Sequence, residues 1–177
     1  MRAFADLIDR FNVVTGRGLA WFALFIVLIQ FAVVLMRYVF GIGSIFMQEL
    51  IVYLHGFLFM LASAYTLAQD GHVRVDIFYR PMSERGKAII NLIGVITLLL
   101  PVSGFILYIS WDYVANSWAL LEGSQEAGGL EFRYILKSAL IAMPILVILQ
   151  GIAELIRSIL ILSGKEHLLK QDEEHAL

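Results

Sequence analysis

The chain has 177 residues, of which 60% are apolar and 16% are charged, and its mean hydropathy is +0.81. An ordinary soluble domain is about 45–50% apolar and about 25% charged. The net charge of −2 gives no indication of nucleic-acid binding, and a sequence without cysteine excludes disulfides, thiolate nucleophiles and cysteine-ligated metals. Because the apolar residues come in long blocks, the composition predicts an integral membrane protein built as one domain, residues 1–177.

Four apolar blocks are long enough to cross a bilayer. Eighteen helical residues span about 27 Å, close to the roughly 30 Å hydrocarbon core, and backbone amides in lipid must pair within their own segment. The sequence therefore predicts an all-α membrane fold with four transmembrane helices, at about residues 19–40, 46–69, 86–111 and 136–162. The first block is longer than the apolar part of a signal peptide and is followed by Arg37 in place of a cleavage site, so we expect it to be retained.

The segment before the first block, residues 1–18, alternates apolar and charged side chains at helical spacing. The pattern predicts an amphipathic helix lying on the cytoplasmic surface of the membrane. The alternative is a hydrated extension of the first transmembrane helix. The apolar positions are Phe4, Leu7, Ile8, Phe11 and Val14, and the charged ones are Arg2, Asp6, Asp9 and Arg10.

The distribution of Lys and Arg predicts the orientation. Three of these residues, Arg37, Arg133 and Lys137, fall on one side of the predicted helices, and ten fall on the other. Because cytoplasmic loops carry the excess of basic residues, we expect both termini, including a tail at 163–177, to be cytoplasmic. The ten are Arg2, Arg10, Arg17, Arg74, Arg80, Arg85, Lys87, Arg157, Lys165 and Lys170.

Local signals mark the ends of the helices. Asp70-Gly71 predicts a turn that ends the second helix, and Ser83 is a suitable N-cap for the third. The third helix is expected to continue outward beyond residue 111 until the glycines at 123 and 128–129 end it. Pro101 and Pro144 lie inside the third and fourth blocks, where a proline can kink a helix without preventing it from spanning the membrane.

The few polar groups inside the helices do not indicate catalysis or independent transport. His55 is the only mid-membrane ionisable group, and His72 lies 17 residues further on, about 25 Å along a helix, so the two cannot hold one haem. We expect His55 to be a hydrogen-bonded packing residue. Glu49 lies at the outer end of the second helix, and Glu154 has Arg157 as an i,i+3 partner near the inner end of the fourth.

Because no nucleophile motif, phosphate-binding loop or central carboxylate is present, we expect neither an enzyme nor a carrier, and contact with other proteins is the remaining function. Small residues at helical spacing, such as Ala64 with Ala68 and Ser138 with Ala142, favour close packing of helices. Two alternatives stay open at this point. One is a haem-bearing or structural membrane anchor of another complex, and the other is a four-helix structural or channel protein that assembles with copies of itself.

Four short stretches stand out: RYVFG at 37–41, FMQEL at 46–50, GHVRVD at 71–76 and SWALLEGSQEAGGLEFRYILKS at 117–138. In their order and spacing they resemble the DctQ-like family, the small membrane subunit of TRAP (tripartite ATP-independent periplasmic) transporters. The resemblance runs over about residues 15–160. The chain departs from the family pattern at Phe46, Gln48 and Glu131, where a tryptophan, an acid and a proline are common, so only Glu49 of the usual acidic pair carries over.

The resemblance implies a function in which this chain holds no substrate. In such systems a periplasmic binding protein captures a substrate, usually an organic acid, and a large membrane subunit performs sodium-driven transport. The small four-helix subunit packs against the static scaffold of the large one. The resemblance therefore implies a bacterial inner-membrane protein with the large subunit, the binding protein and membrane lipid as partners. It implies no nucleic acid and no cofactor in this chain, since sodium is expected in the large subunit.

Six residues are the candidate interface or structural positions. Three of them, His72, Arg74 and Asp76, lie within GHVRVD. If this stretch is helical, His72 and Asp76 form an i,i+4 pair, and if it is extended, all three share one face. In either case we expect polar contacts, to the partner or within the chain, that fix the cytoplasmic end of the helices. At the outer end, the alternatives are a pair between Arg37 and Glu49 or contacts of each with a partner. The acidic outer connection is expected either to dock the binding protein through charge complementarity or to be a solvated surface. The six are Arg37, Glu49, His72, Arg74, Asp76 and Glu122.

Overall fold

The computed structural model describes residues 2–72 and 79–164. It contains four long helices joined by short connections: α1 (Arg2–Val39), α2 (Ile45–Ala68), α3 (Glu84–Ala119) and α4 (Arg133–Leu162). Each is long and apolar enough to cross a membrane, and the described residues form no β-strand. The predicted all-α architecture with four helices of membrane-spanning length is confirmed. The orientation of the termini stays a prediction, and the predicted tail lies outside the described residues from 165 onward.

Helix α1 is a single helix that includes the predicted amphipathic segment. Its 38 residues extend over about 57 Å, well beyond the hydrocarbon core. One face of its first half is buried in the bundle, at Ala5, Ile8, Asn12, Gly16 and Leu19. The structure therefore joins the segment to the first transmembrane helix without a break, and its placement on the membrane surface stays a prediction.

The predicted end of α2 and the predicted start of α3 are confirmed. Helix α2 ends in a turn where Asp70 has a φ of 54° and the N–H of Gly71 donates to the carbonyl of Thr66 at 2.8 Å. Ser83 is the N-cap of α3, and its hydroxyl accepts a hydrogen bond from the N–H of Gly86 at 3.2 Å. Helix α3 also continues to Ala119, as the sequence predicts for its outward extension.

Helix α3 contains one π-helical turn, Val95–Leu99, immediately before Leu100 and Pro101. The N–H of Leu100 donates to the carbonyl of Val95, five residues earlier. Proline has no N–H and its ring crowds the preceding turn, which accounts for the wider turn at this point. The turn faces Gly151 of α4, where an added Cβ would lie 2.6 Å from a Leu99 methyl carbon. The glycine therefore allows α3 and α4 to pack closely at the bulge.

Helix α4 is the central helix of the bundle. It packs against α1, α2 and α3, and α1 also packs along α2. A small core forms where Ala5 and Ile8 of α1 meet Ala153 of α4, with Leu149 and Ile156 beside it. We call the end of the bundle that holds residues 2–12 and 154–164 the terminal end, and the end that holds residues 40–49 and 120–133 the loop end.

Candidate functional site

At the loop end, Glu49 attaches the α3–α4 connection to α2. One oxygen of its carboxylate accepts a hydrogen bond from the Ser124 hydroxyl, and the other accepts the N–H of Leu130 at 2.6 Å. The connection is closed on itself by a bond from the N–H of Ser124 to the carbonyl of Leu130 at 2.9 Å. A single carboxylate near the start of α2 therefore fixes both sides of this connection.

Glu122 holds the same connection from its other side. Its carboxylate accepts hydrogen bonds from the Lys137 ammonium and from the Ser117 hydroxyl, the latter at 2.6 Å, and Arg133 lies at 4.0 Å. The bond from Lys137, followed by that from Ser117, lowers the pKa of Glu122 below its ordinary value. The Lys137 ammonium also lies 4.0 Å from the centroid of the Tyr113 ring. Glu122 therefore links the end of α3 to the start of α4 as an ionised group.

Aromatic side chains complete the loop end. The indole N–H of Trp118 donates to the Ser138 hydroxyl at 2.8 Å, and its ring meets Tyr134 edge to face at 4.7 Å between centroids. Ser138 and Ala142, which the sequence suggested for close helix packing, line a cavity of about 360 Å³ together with Trp111 and Trp118. The small residues here make room for indole rings and leave space beside them.

At the terminal end, a polar network joins α1 to α4 inside the bundle. The amide of Asn12 donates to Gln150 at 2.7 Å, and the amide of Gln150 donates to Asp9 at 2.8 Å. Asp9 also forms an ion pair with Arg157, which donates to Glu154 at 3.3 Å. Asn12 and Gln150 are 1% and 0% exposed, so water cannot reach their amides, and these bonds supply the partners that water would otherwise provide.

The network continues from α4 to α3 and to the α2–α3 connection. The side-chain amide of Asn91 donates through its nitrogen to Glu154 at 3.5 Å, and its oxygen accepts a hydrogen bond from the Tyr79 hydroxyl at 3.2 Å. Together with the α1–α4 bonds, these contacts link three helices at one level of the bundle. The i,i+3 pair of Glu154 with Arg157 that the sequence predicts is confirmed as one member of this network.

Of the six predicted residues, the structure brings together two, Glu49 and Glu122, because both hold the α3–α4 connection in place. Arg37 is exposed at the end of α1 and forms no ion pair with Glu49 among the described residues, because that carboxylate is occupied by Ser124 and Leu130. His72 is exposed at the terminal end. Arg74 and Asp76 lie outside the described residues, so their predicted contacts stay predictions.

His55 forms no hydrogen bond or packing contact with another helix among the described residues, so its predicted packing role is not seen there. Its side chain is exposed on the outside of α2 and stacks with Phe59 of the same helix, with 6.4 Å between ring centroids. Across residues 2–72 and 79–164, no three His, Asp or Glu side chains are grouped closely enough to hold a metal ion.

Sequence reasoning missed the roles of Asn12, Gln150 and Asp9. The available signal was the amide of Gln150 in an apolar helix, since a polar group in a membrane helix normally faces a partner inside the protein. The partner was not recognisable, because it lies 138 residues away along the chain.

The fold defines a multi-pass membrane protein. Most of the polar contacts among its described residues join the helices to one another or hold the α3–α4 connection in place. The family model of the DctQ component of the tripartite ATP-independent periplasmic transporters matches residues 26–160. The chain belongs to this family of transporter components, which is not a family of enzymes, and the resemblance seen in the sequence is confirmed. Comparisons with curated proteins and with solved structures gave no match. The match starts within α1, so Asp9 and Asn12 precede it.

Proposed function

We propose that this chain is the small membrane subunit of a sodium-coupled TRAP transporter, and that it braces the scaffold of the large membrane subunit during binding-protein-dependent uptake of an organic acid. The proposal rests on the near absence of ionisable residues from the middle parts of the four helices. In residues 18–36, 50–69, 88–111 and 138–153, His55 is the only Asp, Glu, Lys, Arg or His. A carrier needs groups at mid-membrane that bind its ion and substrate. A brace needs only surface for contact.

The exposed face of α2 is the proposed contact with the large subunit. In the most apolar part of α2 only 6% of residues are buried, against 28% in α4. This face carries Val52, His55 and Phe59, which lie on one side of the helix and are all exposed. An imidazole at the middle of a transmembrane helix is costly against lipid, so packing of His55 against another protein is favoured.

The α3–α4 connection is the proposed contact with the periplasmic binding protein. Glu126 and Glu131 are exposed on it, and Glu49 and Glu122 hold its backbone from two sides. An acidic surface that is already ordered before contact loses less conformational entropy on binding and steers a basic partner surface towards it. This proposal requires the loop end to be periplasmic and both termini to be cytoplasmic.

The function is tested by uptake of radiolabelled organic acid into vesicles under a sodium gradient. Vesicles that contain this chain, the large subunit and the binding protein are expected to accumulate solute. Omission of this chain should abolish accumulation, and the chain alone should give none. Equal uptake without this chain, or uptake by this chain alone, would contradict the proposal.

The proposed α2 contact is tested by co-purification of the large subunit. His55→Trp places a bulky ring on the contact face and is expected to lower recovery of the large subunit by at least about tenfold, as one lost contact of 1.4 kcal/mol would. Phe105→Trp, at a 63% exposed position of α3, is the matched control and should leave recovery unchanged. Equal recovery with both variants would show that α2 does not face the large subunit.

The GHVRVD stretch is proposed to strengthen the same complex at its cytoplasmic end. Asp76→Ala is expected to lower recovery of the large subunit, and His72→Ala and Arg74→Ala serve as tests of the neighbouring positions. Unchanged recovery with all three variants would show that the stretch has no role in the complex beyond its positive charge.

A further inference from the structure

A deep groove opens on one side of the bundle towards the terminal end. It has a volume of about 750 Å³ and lies between Leu67 at the end of α2, residues 90–103 of α3 and Glu154 of α4. Its α3 wall includes Leu98 and Val102, which are 66% and 53% exposed. Because the groove opens to the side of helices that cross the membrane, its contents come from the bilayer or from a neighbouring protein.

The polarity of the groove changes along its length. The α3 wall is apolar from Gly94 to Val102, whereas polar groups line the terminal end at His72, Tyr79 and Asn91. From Asn91 to Val102 the helix rises about 16 Å, which is close to half of the roughly 30 Å hydrocarbon core. The groove therefore has the depth of one leaflet, with an apolar length and a polar end.

The stretch that leads into α3 beside this polar end carries positive charge. Arg80 directly follows Tyr79, Arg85 lies in the first turn of α3, and both are exposed without an ion pair to another described residue. Lys87 lies 5.9 Å from the Tyr79 ring centroid and pairs with Glu84. The one acid that lines the groove, Glu154, is already bonded to Arg157 on α4. The charge that remains unpaired in residues 79–94 is therefore cationic.

We propose that the groove binds an anionic phospholipid, with an acyl chain along the α3 wall and the phosphate at the rim formed by Arg80 and Arg85. Basic pockets between helices at the cytoplasmic side of a membrane favour anionic headgroups, and an apolar channel one leaflet deep accommodates a chain. A transmembrane helix of a partner is the other possible occupant. It would bring the two arginines against an apolar surface, which is costly.

The chain position is tested by filling the groove. Gly94 lies in the wall, and a Cβ there would meet nothing within 4 Å, so Gly94→Leu fits an unstrained helix and occupies the chain position. Gly104→Leu is the matched control, because Gly104 is in the same helix, equally unobstructed, and outside the groove. Native mass spectrometry of the full-length protein with dioleoyl phosphatidylglycerol is expected to show at least about tenfold weaker binding for Gly94→Leu, and no change for Gly104→Leu.

The headgroup position is tested by neutralising the rim. One cation near an anionic lipid surface accounts for about fivefold in affinity, so the double variant Arg80→Gln, Arg85→Gln should lower phosphatidylglycerol binding by about 25-fold. Binding of dioleoyl phosphatidylethanolamine should change much less. Equal phosphatidylglycerol binding by wild type and Gly94→Leu would overturn the proposal. So would a wild type that does not prefer phosphatidylglycerol, or a Gly94→Leu variant that loses the large subunit but not the lipid.

Discussion

The two ends of the bundle use polar residues in different ways. At the loop end, Glu122 bonds to Lys137, 15 residues away, and the carboxylates order a single connection that stays partly open to solvent. At the terminal end, Asn12 bonds to Gln150, 138 residues away, and both are buried. The first arrangement shapes a surface, whereas the second joins helices from opposite ends of the sequence. We therefore expect changes at the terminal end to affect the whole bundle and changes at the loop end to stay local.

The largest effect is expected from Gly16→Ala in the terminal half of α1. An added Cβ would lie 2.3–2.6 Å from the Cβ, Cγ and Cδ2 atoms of Tyr65, the fixed part of that side chain. Overpacking of this kind should destabilise the bundle by about 3 kcal/mol, seen as a lower melting temperature of the detergent-solubilised protein. Gly18→Ala is the control, since Gly18 is exposed and its Cβ would meet nothing. Equal melting temperatures for the two variants would contradict the close α1–α2 contact.

The next effect is expected from Gln150→Leu. It removes one partner from both Asn12 and Asp9 and leaves buried polar groups without a hydrogen bond, at a cost of about 2 kcal/mol. Replacing both amides, in Asn12→Leu with Gln150→Leu, should be less harmful than Gln150→Leu alone, because an unpaired buried amide is then absent. Melting temperatures of the two variants give the comparison. A double variant that is less stable than Gln150→Leu alone would show that the amide bond is not the source of the stability.

At the loop end, Glu49→Gln should act locally. The neutral amide offers one acceptor oxygen where the carboxylate offers two, so one of the bonds from Ser124 and Leu130 is lost. Hydrogen exchange at the Leu130 amide should become about tenfold faster, with little change in melting temperature. Glu126→Gln, an exposed acid on the same connection, is the control. If Glu49→Gln lowered the melting temperature as much as Gln150→Leu does, the proposed difference between the two ends would be wrong.

The smallest effect is expected from pH. Since the pKa of Glu122 is lower in the folded protein than its ordinary value of 4.5, its bonds to Lys137 and Ser117 stabilise the connection fully above that value. The stabilisation is lost as the pH falls through the lowered pKa. Hydrogen exchange of residues 122–132, corrected for its intrinsic pH dependence, should stay constant from pH 8 to pH 6 and accelerate only in acid. Glu122→Gln should reduce the acid-dependent part and leave the part due to Glu49, whose carboxylate bonds to Ser124 and Leu130 in the same connection. A transition near neutral pH would contradict the assigned contacts.

Much of the fold was predictable, because its signals are local. Apolar blocks set the four helices, Asp70 and Gly71 ended α2, and Ser83 began α3. The continuity of α1 was not predictable with certainty, since an amphipathic pattern fits both a surface helix and a helix that packs on a bundle. The structure buries one face of the first half of α1 in the bundle, a tertiary contact that the sequence pattern does not specify.

The candidate sites were less predictable for a similar reason. The sequence singled out Glu49 and Glu122 as polar groups near a membrane end, but their partners depend on how the connection folds back onto α2. Leu130, which bonds to Glu49, lies 81 residues away and contributes only a backbone N–H. Any residue other than proline offers that donor, so its identity carries no signal. The π turn of α3 was likewise only a general expectation from Pro101, because proline permits several distortions.

The central proposal is that this chain braces the static scaffold of the large subunit without moving its own helices against one another, and cross-linking tests it most directly. Because the chain has no cysteine, Ala5→Cys with Ala153→Cys places two thiols in the small core where α1 meets α4. The double variant, cross-linked by oxidation to a disulfide or by a short reagent with two thiol-reactive groups, should take up solute at the uncross-linked rate in vesicles with a cysteine-free large subunit and the binding protein. Loss of uptake that reduction of the disulfide restores would show that α1 and α4 move in the transport cycle, and would contradict the account.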